Sequence, residues 1–438
     1  MEIGKTLSVC PVCLAKIPAK KTVGEDGNIY MEKRCWEHGS FKTLIWEGDL
    51  ESYLGWAARD AGGKVTPVRA TPVEKGCPYD CGLCQNHERD GCCVLLELTN
   101  RCNLRCPVCF ASAGEQKPRD LSLEEIGRQY DLLMERGGPF NIQLSGGEPT
   151  MRDDLDKIIA LGKEKGFTFF QLNTNGVRIA NEEGYAEHLV RSGVSVAFLQ
   201  FDGLDDEIYR TLRGAPLAGL KIRAIDNCKA AGLPVVLVPT VAPGVNDHAL
   251  GDLLRFALSR APHIRGVHIQ PVSYFGRCAL EEPQVRLTIP AVLRRIEKQM
   301  EGLMKAADFG GGGAESPYCS FHASFMRRKD GSIKALPRRR SQCCCVKSSD
   351  ARDYVSQQWS GKIACCDGDE ATSSLDEFLQ QTVENTFTVS GMVFQDAYNL
   401  DLDRLRRCYI CEVDTDQGMV PFCAYNLTDI HGRALYRK

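Results

Sequence analysis

The chain has 438 residues, 43% of them hydrophobic and 25% charged, with a formal net charge of −3. That length buries a sizeable core in more than one domain, and the near-balanced charge leaves no electrostatic footprint for nucleic-acid binding. No apolar run reaches the roughly eighteen residues of a spanning helix, and the start MEIGKTLSVC lacks the apolar core of a secretory signal, so a cytoplasmic protein is expected.

Twenty-two cysteines are present. Structural disulfides are rare in a reducing compartment, so cysteine gathered at short spacings points to metal. Only Cys228 and Cys278 stand well apart, and they read as small buried side chains.

In chain order, residues 1–58 carry Cys10-x-x-Cys13, a polar hairpin-like stretch, then Cys35-x-x-His38. Four ligands in two knuckles suit one tetrahedral ion, either zinc or a rubredoxin-like iron, and the histidine favours zinc. A DNA-binding finger is the rival, but no recognition helix with clustered Lys and Arg is visible. Residues 59–93 form a second metal segment. Cys77, Cys81 and Cys84, with Cys92 eight positions on, can close a 4Fe–4S cluster completely, which suits an auxiliary role. Cys93 is the rival fourth ligand, and a structural zinc site is the rival reading.

From residue 94 to 285, apolar strand runs alternate with amphipathic helices in six units, beginning with VLLEL and ending with VHIQPVSYFG. In the first helix Ser122 is a candidate N-cap and Glu125 completes a capping box. Alternation of this kind implies an α/β fold with parallel strands. Six units suit a partial (β/α)6 barrel, with active residues at the C-terminal strand ends. Residues 286–438 add the helix IPAVLRRIEKQM, a glycine run and a cysteine-rich tail, expected as a C-terminal auxiliary-cluster and substrate domain. Cys408, Cys411 and Cys423 need one further partner. It is open among Cys319, the Cys343–Cys345 run and the Cys365–Cys366 pair, with Cys319 carried as the candidate. The basic stretches at Arg327–Lys329 and Arg338–Arg340 read as solvated surface, with an anion site as the alternative.

The chemistry centres on Cys102-Asn-Leu-Arg-Cys106-Pro-Val-Cys109-Phe110, just after the first barrel strand. Three thiolates on one loop bind three irons of a cubane, leaving the fourth iron open, as a catalytic metal site requires. The second strand ends in Ser145-Gly146-Gly147-Glu148-Pro149-Thr150. Its glycines permit close backbone approach to a ligand, and its carboxylate can bind an ammonium group. The C-x3-C-x2-C spacing followed by an aromatic residue, together with GGEP, resembles the signature of the radical S-adenosylmethionine (SAM) superfamily. That resemblance implies SAM chelated to the open iron and cleaved to a 5′-deoxyadenosyl radical, with Glu148 on the SAM amino group. Asn175, Gln200 and Asp202 are candidates for its ribose and carboxylate, with turn formation as the alternative. Gln270 and Ser273 are candidates for the pocket wall, and Phe110 for packing near adenine. The Cys77 group has the same spacing, but only the Cys102 group is followed by GGEP.

CPVC…CxEHG, GCPYDCGLC, LTNRCNLRCPVCFA and FQDAYNLDLDRLRRC…PFCAYN together resemble one branch of the superfamily, that of archaeal tetraether lipid synthase and class D methyltransferases of pterins. Membership implies three 4Fe–4S clusters and one mononuclear site. It also implies hydrogen abstraction from an unactivated carbon, carbon–carbon bond formation and a low-potential electron donor of flavodoxin or ferredoxin type. A lipid substrate would call for a long apolar tunnel and peripheral membrane contact, and a pterin for a polar pocket. A non-catalytic iron–sulfur carrier or maturation scaffold is the reading from another class.

Overall fold

Side chains alternate between the two faces of a strand, and in this protein the alternation separates packing from chemistry. In VLLEL, Val94, Leu96 and Leu98 join one large core beneath the helices, while Glu97 lies on the opposite face. The computed structural model describes residues 1–57, 71–114, 119–280, 285–312, 315–328, 330–337, 348–360, 382, 384–414, 416 and 418–437. The Cys343–Cys345 run, the Cys365–Cys366 pair and the Arg338–Arg340 stretch lie outside the described residues.

Four antiparallel strands open the chain: β1 (Glu2–Val9), β2 (Lys16–Val23), β3 (Ile29–Cys35) and β4 (Gly39–Trp46), followed by helix α1 (Leu50–Ala57). The barrel follows as β5 (Cys93–Thr99), a short β6 (Val108–Cys109), α2 (Leu123–Glu135), β7 (Asn141–Gly146), α3 (Leu155–Glu164), β8 (Phe170–Thr174), α4 (Val177–Asn181), α5 (Tyr185–Ser192), β9 (Val196–Gln200), α6 (Asp206–Arg213), α7 (Ala218–Ala230), β10 (Val235–Val238), β11 (Thr240–Val241), α8 (Leu250–Ser259), β12 (Ile264–Pro271) and β13 (Arg277–Cys278). Strands β5, β7, β8, β9, β10 and β12 lie side by side in chain order and all pair in parallel. These are the six units expected from the periodicity. Helix α5 starts only at Tyr185, after Gly184, whose φ is +75°, and the short α4 ends at Asn181. Helix α6 was not anticipated.

The remaining elements are α9 (Ile289–Gln299), β14 (Ser320–Arg327), β15 (Ile333–Ala335), α10 (Ser348–Ser360), β16 (Thr386–Met392), β17 (Ile410–Asp414) and β18 (Gly418–Pro421). They do not form the separate domain expected from residue 286. Strand β17 pairs in parallel with β5 and β16 in parallel with β12, so the late chain covers both open edges of the six-stranded sheet. A partial barrel leaves two edges of unpaired backbone groups, and these strands satisfy them. Helix α10 closes the N-terminal end. Trp359 packs edge-on against Phe198 at 5.7 Å, beside Phe169, Val196 and Val236, and Arg352 donates to the carbonyls of Gly91, Gly137 and Pro139. Among the described residues no helix is long and apolar enough to cross a membrane.

The anticipated capping box is formed: Glu125 N–H donates to Ser122 Oγ at 3.2 Å, and Ser122 N–H to the Glu125 carboxylate at 2.7 Å. Ser122→Ala should cost about 1 kcal/mol locally, seen as roughly fivefold faster hydrogen exchange in the first turn of α2 with the rest of the barrel unchanged.

Candidate active site and metal centres

The loop after β5 carries Cys102, Cys106 and Cys109, all half-buried. Neighbouring backbone holds it from two sides. Gly147 N–H donates to Thr99 O at 2.7 Å and Glu148 N–H to Arg101 O at 2.9 Å. A Cβ on Gly146 (φ +115°) would lie 2.4 Å from Thr99 O, and one on Gly147 2.3 Å from Arg101 O. The sequence reading gave these glycines a close approach to a ligand; the backbone they approach is that of the cysteine loop itself. On the other side β13 pairs with β6, and Arg277 donates to Cys106 O at 2.8 Å and Ala113 O at 3.0 Å. Cys278 on that strand is half-buried beside the loop, not the core filler expected, whereas Cys228 is fully buried as expected.

Burial pushes the Cys102 thiol up to about 12, with the nearby charges of Glu148, Cys106 and Cys109 adding to the shift. Burial also raises Cys106. Three thiols that repel one another as anions, held half-buried on one loop, form a donor set that suits a cationic iron cluster.

Glu148 is buried beside them. Its Oε1 accepts from Thr150 N–H, Thr150 Oγ1 (2.6 Å) and Thr174 Oγ1 (2.7 Å), and its Oε2 from Asn175 N–H (2.7 Å). Oε2 therefore keeps one acceptor position. Asn175, a candidate for a SAM contact, uses its amide on the loop: Nδ2 donates to Asn103 Oδ1 at 2.7 Å, and Oδ1 accepts from Val177 N–H at 2.9 Å. Asp202 is corrected more sharply. Its carboxylate takes a two-pronged pair from Arg213 (2.7 and 2.9 Å), a bond from Thr240 N–H (2.9 Å) and one from Gln200 Nε2. With four donors in place, it is a strut and not an open ligand group. Gln200 in turn accepts from Lys221 Nζ at 2.6 Å. Gln270 is half-buried on β12, Ser273 Oγ donates to Phe394 O, and the Phe110 ring packs 5.6 Å from Phe422.

Arg213 and Lys221 were missed by the sequence reading. Arg213 also donates to Val108 O at 3.1 Å, tying the cysteine loop to Asp202. Its burial opposes its charge, yet the Asp202 carboxylate outweighs that and holds its pKa above the ordinary value. Lys221 is fully buried and donates to Asn175 O, and burial lowers it to about 7. A signal for it existed. Lys221 shares a helical stripe with Ala224, Ile225 and Cys228, all buried, so a cation stood at a core position of an amphipathic helix.

Three further cysteine groups lie among the described residues. In the N-terminal sheet, the ligand atoms of Cys10, Cys13, Cys35 and His38 all lie within 4.8 Å of one another, a ready tetrahedral set. Cys77, Cys81 and Cys84 line one cleft with His87, Leu405, Arg406 and Pro421. Cys92, the expected fourth ligand, does not line it: its N–H donates to Tyr409 O and its sulfur lies 3.8 Å from that of Cys93. In the tail, Arg404 donates to Cys319 Sγ at 3.4 Å and Gln395 N–H to Cys423 Sγ at 3.3 Å, and the charges of Cys319, Cys408 and Cys423 act on one another. Cys411 is buried in the outer core with Val413 and Met419, next to Cys408.

Residues 96–257 match the family model of the radical SAM superfamily, and residues 2–47 that of the HMPTM N-terminal zinc ribbon domain. The chain is 34% identical to 7,8-dihydro-6-hydroxymethylpterin dimethyltransferase of Methanocaldococcus jannaschii, over 96% of this chain and 93% of that protein. The chain belongs to the radical SAM superfamily, in its class D methyltransferase branch. It is also 31% identical to a GTP 3′,8-cyclase of Paenarthrobacter nicotinovorans over 44% of its length and 54% of the relative's. A SAM-bound structure of Streptococcus suis SuiB aligns with a TM-score of 0.41 at 17% identity, covering 49% of this chain and 48% of that one. The radical SAM assignment brings SAM and a 4Fe–4S cluster with it, and the ribbon assignment agrees with a zinc set at Cys10, Cys13, Cys35 and His38.

Arg213→Met strands a buried carboxylate and should destabilise this radical SAM enzyme by about 3–5 kcal/mol. Bound iron should fall while the ribbon metal is retained, both read by elemental analysis. The double variant Arg213→Met, Asp202→Leu should recover thermal stability.

Proposed function

We propose that this methyltransferase acts on a pterin, or a heterocycle of similar polarity, held inside the barrel. One observation carries the choice. On the inward strand faces Glu97, Gln143, Asn173, His268, Gln270 and Ser390 are all half-buried, so the interior is polar and reached by solvent. Parallel strands packed on both faces read as continuous apolar runs. Here the inward face departs from that rule at mid-height, above an apolar floor of Val196, Phe198, Val236 and Trp359. A lipid tail would call for a greasy channel; carboxamides and an imidazole suit a flat ring with hydrogen-bonding edges, while Glu97 is already paired with Arg437 at 2.7 Å. The substrate named for the Methanocaldococcus relative supports the same reading.

Cys102, Cys106 and Cys109 would hold the cluster, and with SAM bound it would supply the carbon radical that removes hydrogen from an unactivated carbon. The protein orients and shields. Glu148 Oε2 offers its open position to the SAM ammonium, and Arg213, Asp202 and Arg277 keep the cysteine loop in register with it. His268 Nδ1 is paired with Ser390 Oγ at 2.9 Å, and its Nε2 has no partner among the described residues. Burial lowers His268 to about 4, so it meets the substrate as a neutral imidazole. The Cys77 group and the Cys408, Cys411 and Cys423 group with Cys319 hold two auxiliary clusters in this reading. A cytoplasmic donor of flavodoxin or ferredoxin type supplies electrons.

Anaerobically reconstituted protein, given dithionite, SAM and 7,8-dihydro-6-hydroxymethylpterin, should release 5′-deoxyadenosine and yield methylated pterin by mass spectrometry. Cys106→Ala should abolish both; SAM cleavage surviving in that variant would place the active cluster elsewhere, and no cleavage in the wild type would favour an inert carrier. His268→Ala should raise the pterin KM about tenfold, the equivalent of one lost hydrogen bond worth ~1.4 kcal/mol, with substrate-free SAM cleavage unchanged.

A further inference from the structure

Among the described residues, no fourth cysteine lines the cleft of Cys77, Cys81 and Cys84. Cys92 and Cys93 sit apart from it. Cys92 is fully buried, its backbone bonded to Tyr409, and Cys93 begins β5 with its thiol toward Gln143. The chain between Cys84 and Cys92 makes a tight turn, with His87 N–H donating to Cys84 O at 2.9 Å. That turn places His87 among the residues that line the cleft with the three cysteines.

We infer that His87 Nδ1 is the fourth ligand of the auxiliary cluster at Cys77, Cys81 and Cys84. The inference rests on the reading that this group holds an iron–sulfur cluster. The His87 Nε2 lies 2.7 Å from Cys408 O. A carbonyl only accepts, so Nε2 carries the proton and Nδ1 presents its lone pair. The one ring hydrogen bond of His87 among the described residues is the one at Nε2. The ring is 5% exposed and fixed by that one bond, so it is oriented in advance. A histidine whose second nitrogen donates to a backbone carbonyl is the usual arrangement of a metal-bound imidazole.

The arrangement has a chemical consequence. A neutral imidazole in place of a thiolate removes one negative charge from the cluster and raises its reduction potential, as in clusters where histidine replaces cysteine. The proton on Nε2 also points at the backbone of Cys408, a residue of the tail cysteine group, so one imidazole spans the two auxiliary sites.

The test is pulsed EPR on the reduced holoenzyme, unlabelled and with ¹⁵N-histidine. A strongly coupled histidine nitrogen should appear on the auxiliary cluster, and in Cys81→Ala it should vanish together with that cluster's signal and iron. His87→Cys should keep the iron, lose the nitrogen coupling and lower the midpoint potential. His87→Gln should lose the coupling and yield a cluster missing one iron. Cys92→Ser should leave iron content and coupling unchanged. A spectrum without coupled histidine nitrogen on a cluster that Cys81→Ala removes would overturn the inference, as would loss of iron in Cys92→Ser. Unchanged iron in Cys81→Ala would instead overturn the underlying reading, because no cluster would reside there.

Discussion

The ion pair between Arg213 and Asp202 is the contact on which the site depends. Both side chains are almost wholly withdrawn from water, at 9% and 0% exposure. An isolated charge at either position would be costly, and the pair is tolerable because nearly every donor and acceptor is used. Arg213 reaches Asp202, Val108 O and Thr240 Oγ1, and Asp202 also receives Thr240 N–H. The ends of β9 and β11, helix α6 and the cysteine loop therefore meet at one buried point. Gln200 and Lys221 extend the same network to Asn175, whose amide braces the loop at Asn103. The three thiols are held in place by polar groups bonded to one another.

Around that point the two faces of the sheet do different work. The outward face is apolar and packs under the helices, while the inward face turns polar at mid-height. Strands β16 and β17 arrive late in the chain and cover the two edges left by six parallel strands. They carry inward-facing groups of their own, among them Ser390, which orients His268. The late chain thereby helps build the interior and brings the segment before Cys423 against the active loop. The Phe110 ring, next after Cys109, packs against Phe422, next before Cys423.

The N-terminal ribbon is docked on the same late segment. Asp401 accepts from Thr6 Oγ1 at 2.7 Å and pairs with Lys21 at 2.7 Å, and the Lys33 amine donates to Ala397 O at 2.6 Å. Burial lowers Lys33 to about 7, which marks a docking contact drawn out of water. Loss of the ribbon metal would therefore be felt along residues 394–406, which bear on both auxiliary cysteine groups through Gln395, Arg404 and Arg406.

Much of this was legible in the sequence because it is local. Cysteines within one loop declare themselves by spacing, since a few residues of chain set how far apart their thiols can lie. The ribbon knuckles, the Cys102 loop and the three cysteines at 77, 81 and 84 all fall in this class. The capping box at Ser122 and the six strand–helix units follow from periodicities that each segment carries within itself. Contacts across the chain were decided by the fold. Cys92 is near Cys84 in sequence, yet the turn at His87 and the start of β5 carry it off the cleft. Asp202 and Asn175 read as ligand groups from their turns, and Arg213 and Asn103 claim them. The strand edges that call for β16 and β17 exist only once the sheet has formed. Sequence by itself thus determined where the cysteines gather and that the chain is built for radical SAM chemistry. Tertiary structure decided which buried polar groups are already spent on each other and which still face the interior, because a hydrogen bond's partner is set by three-dimensional proximity and not by position along the chain.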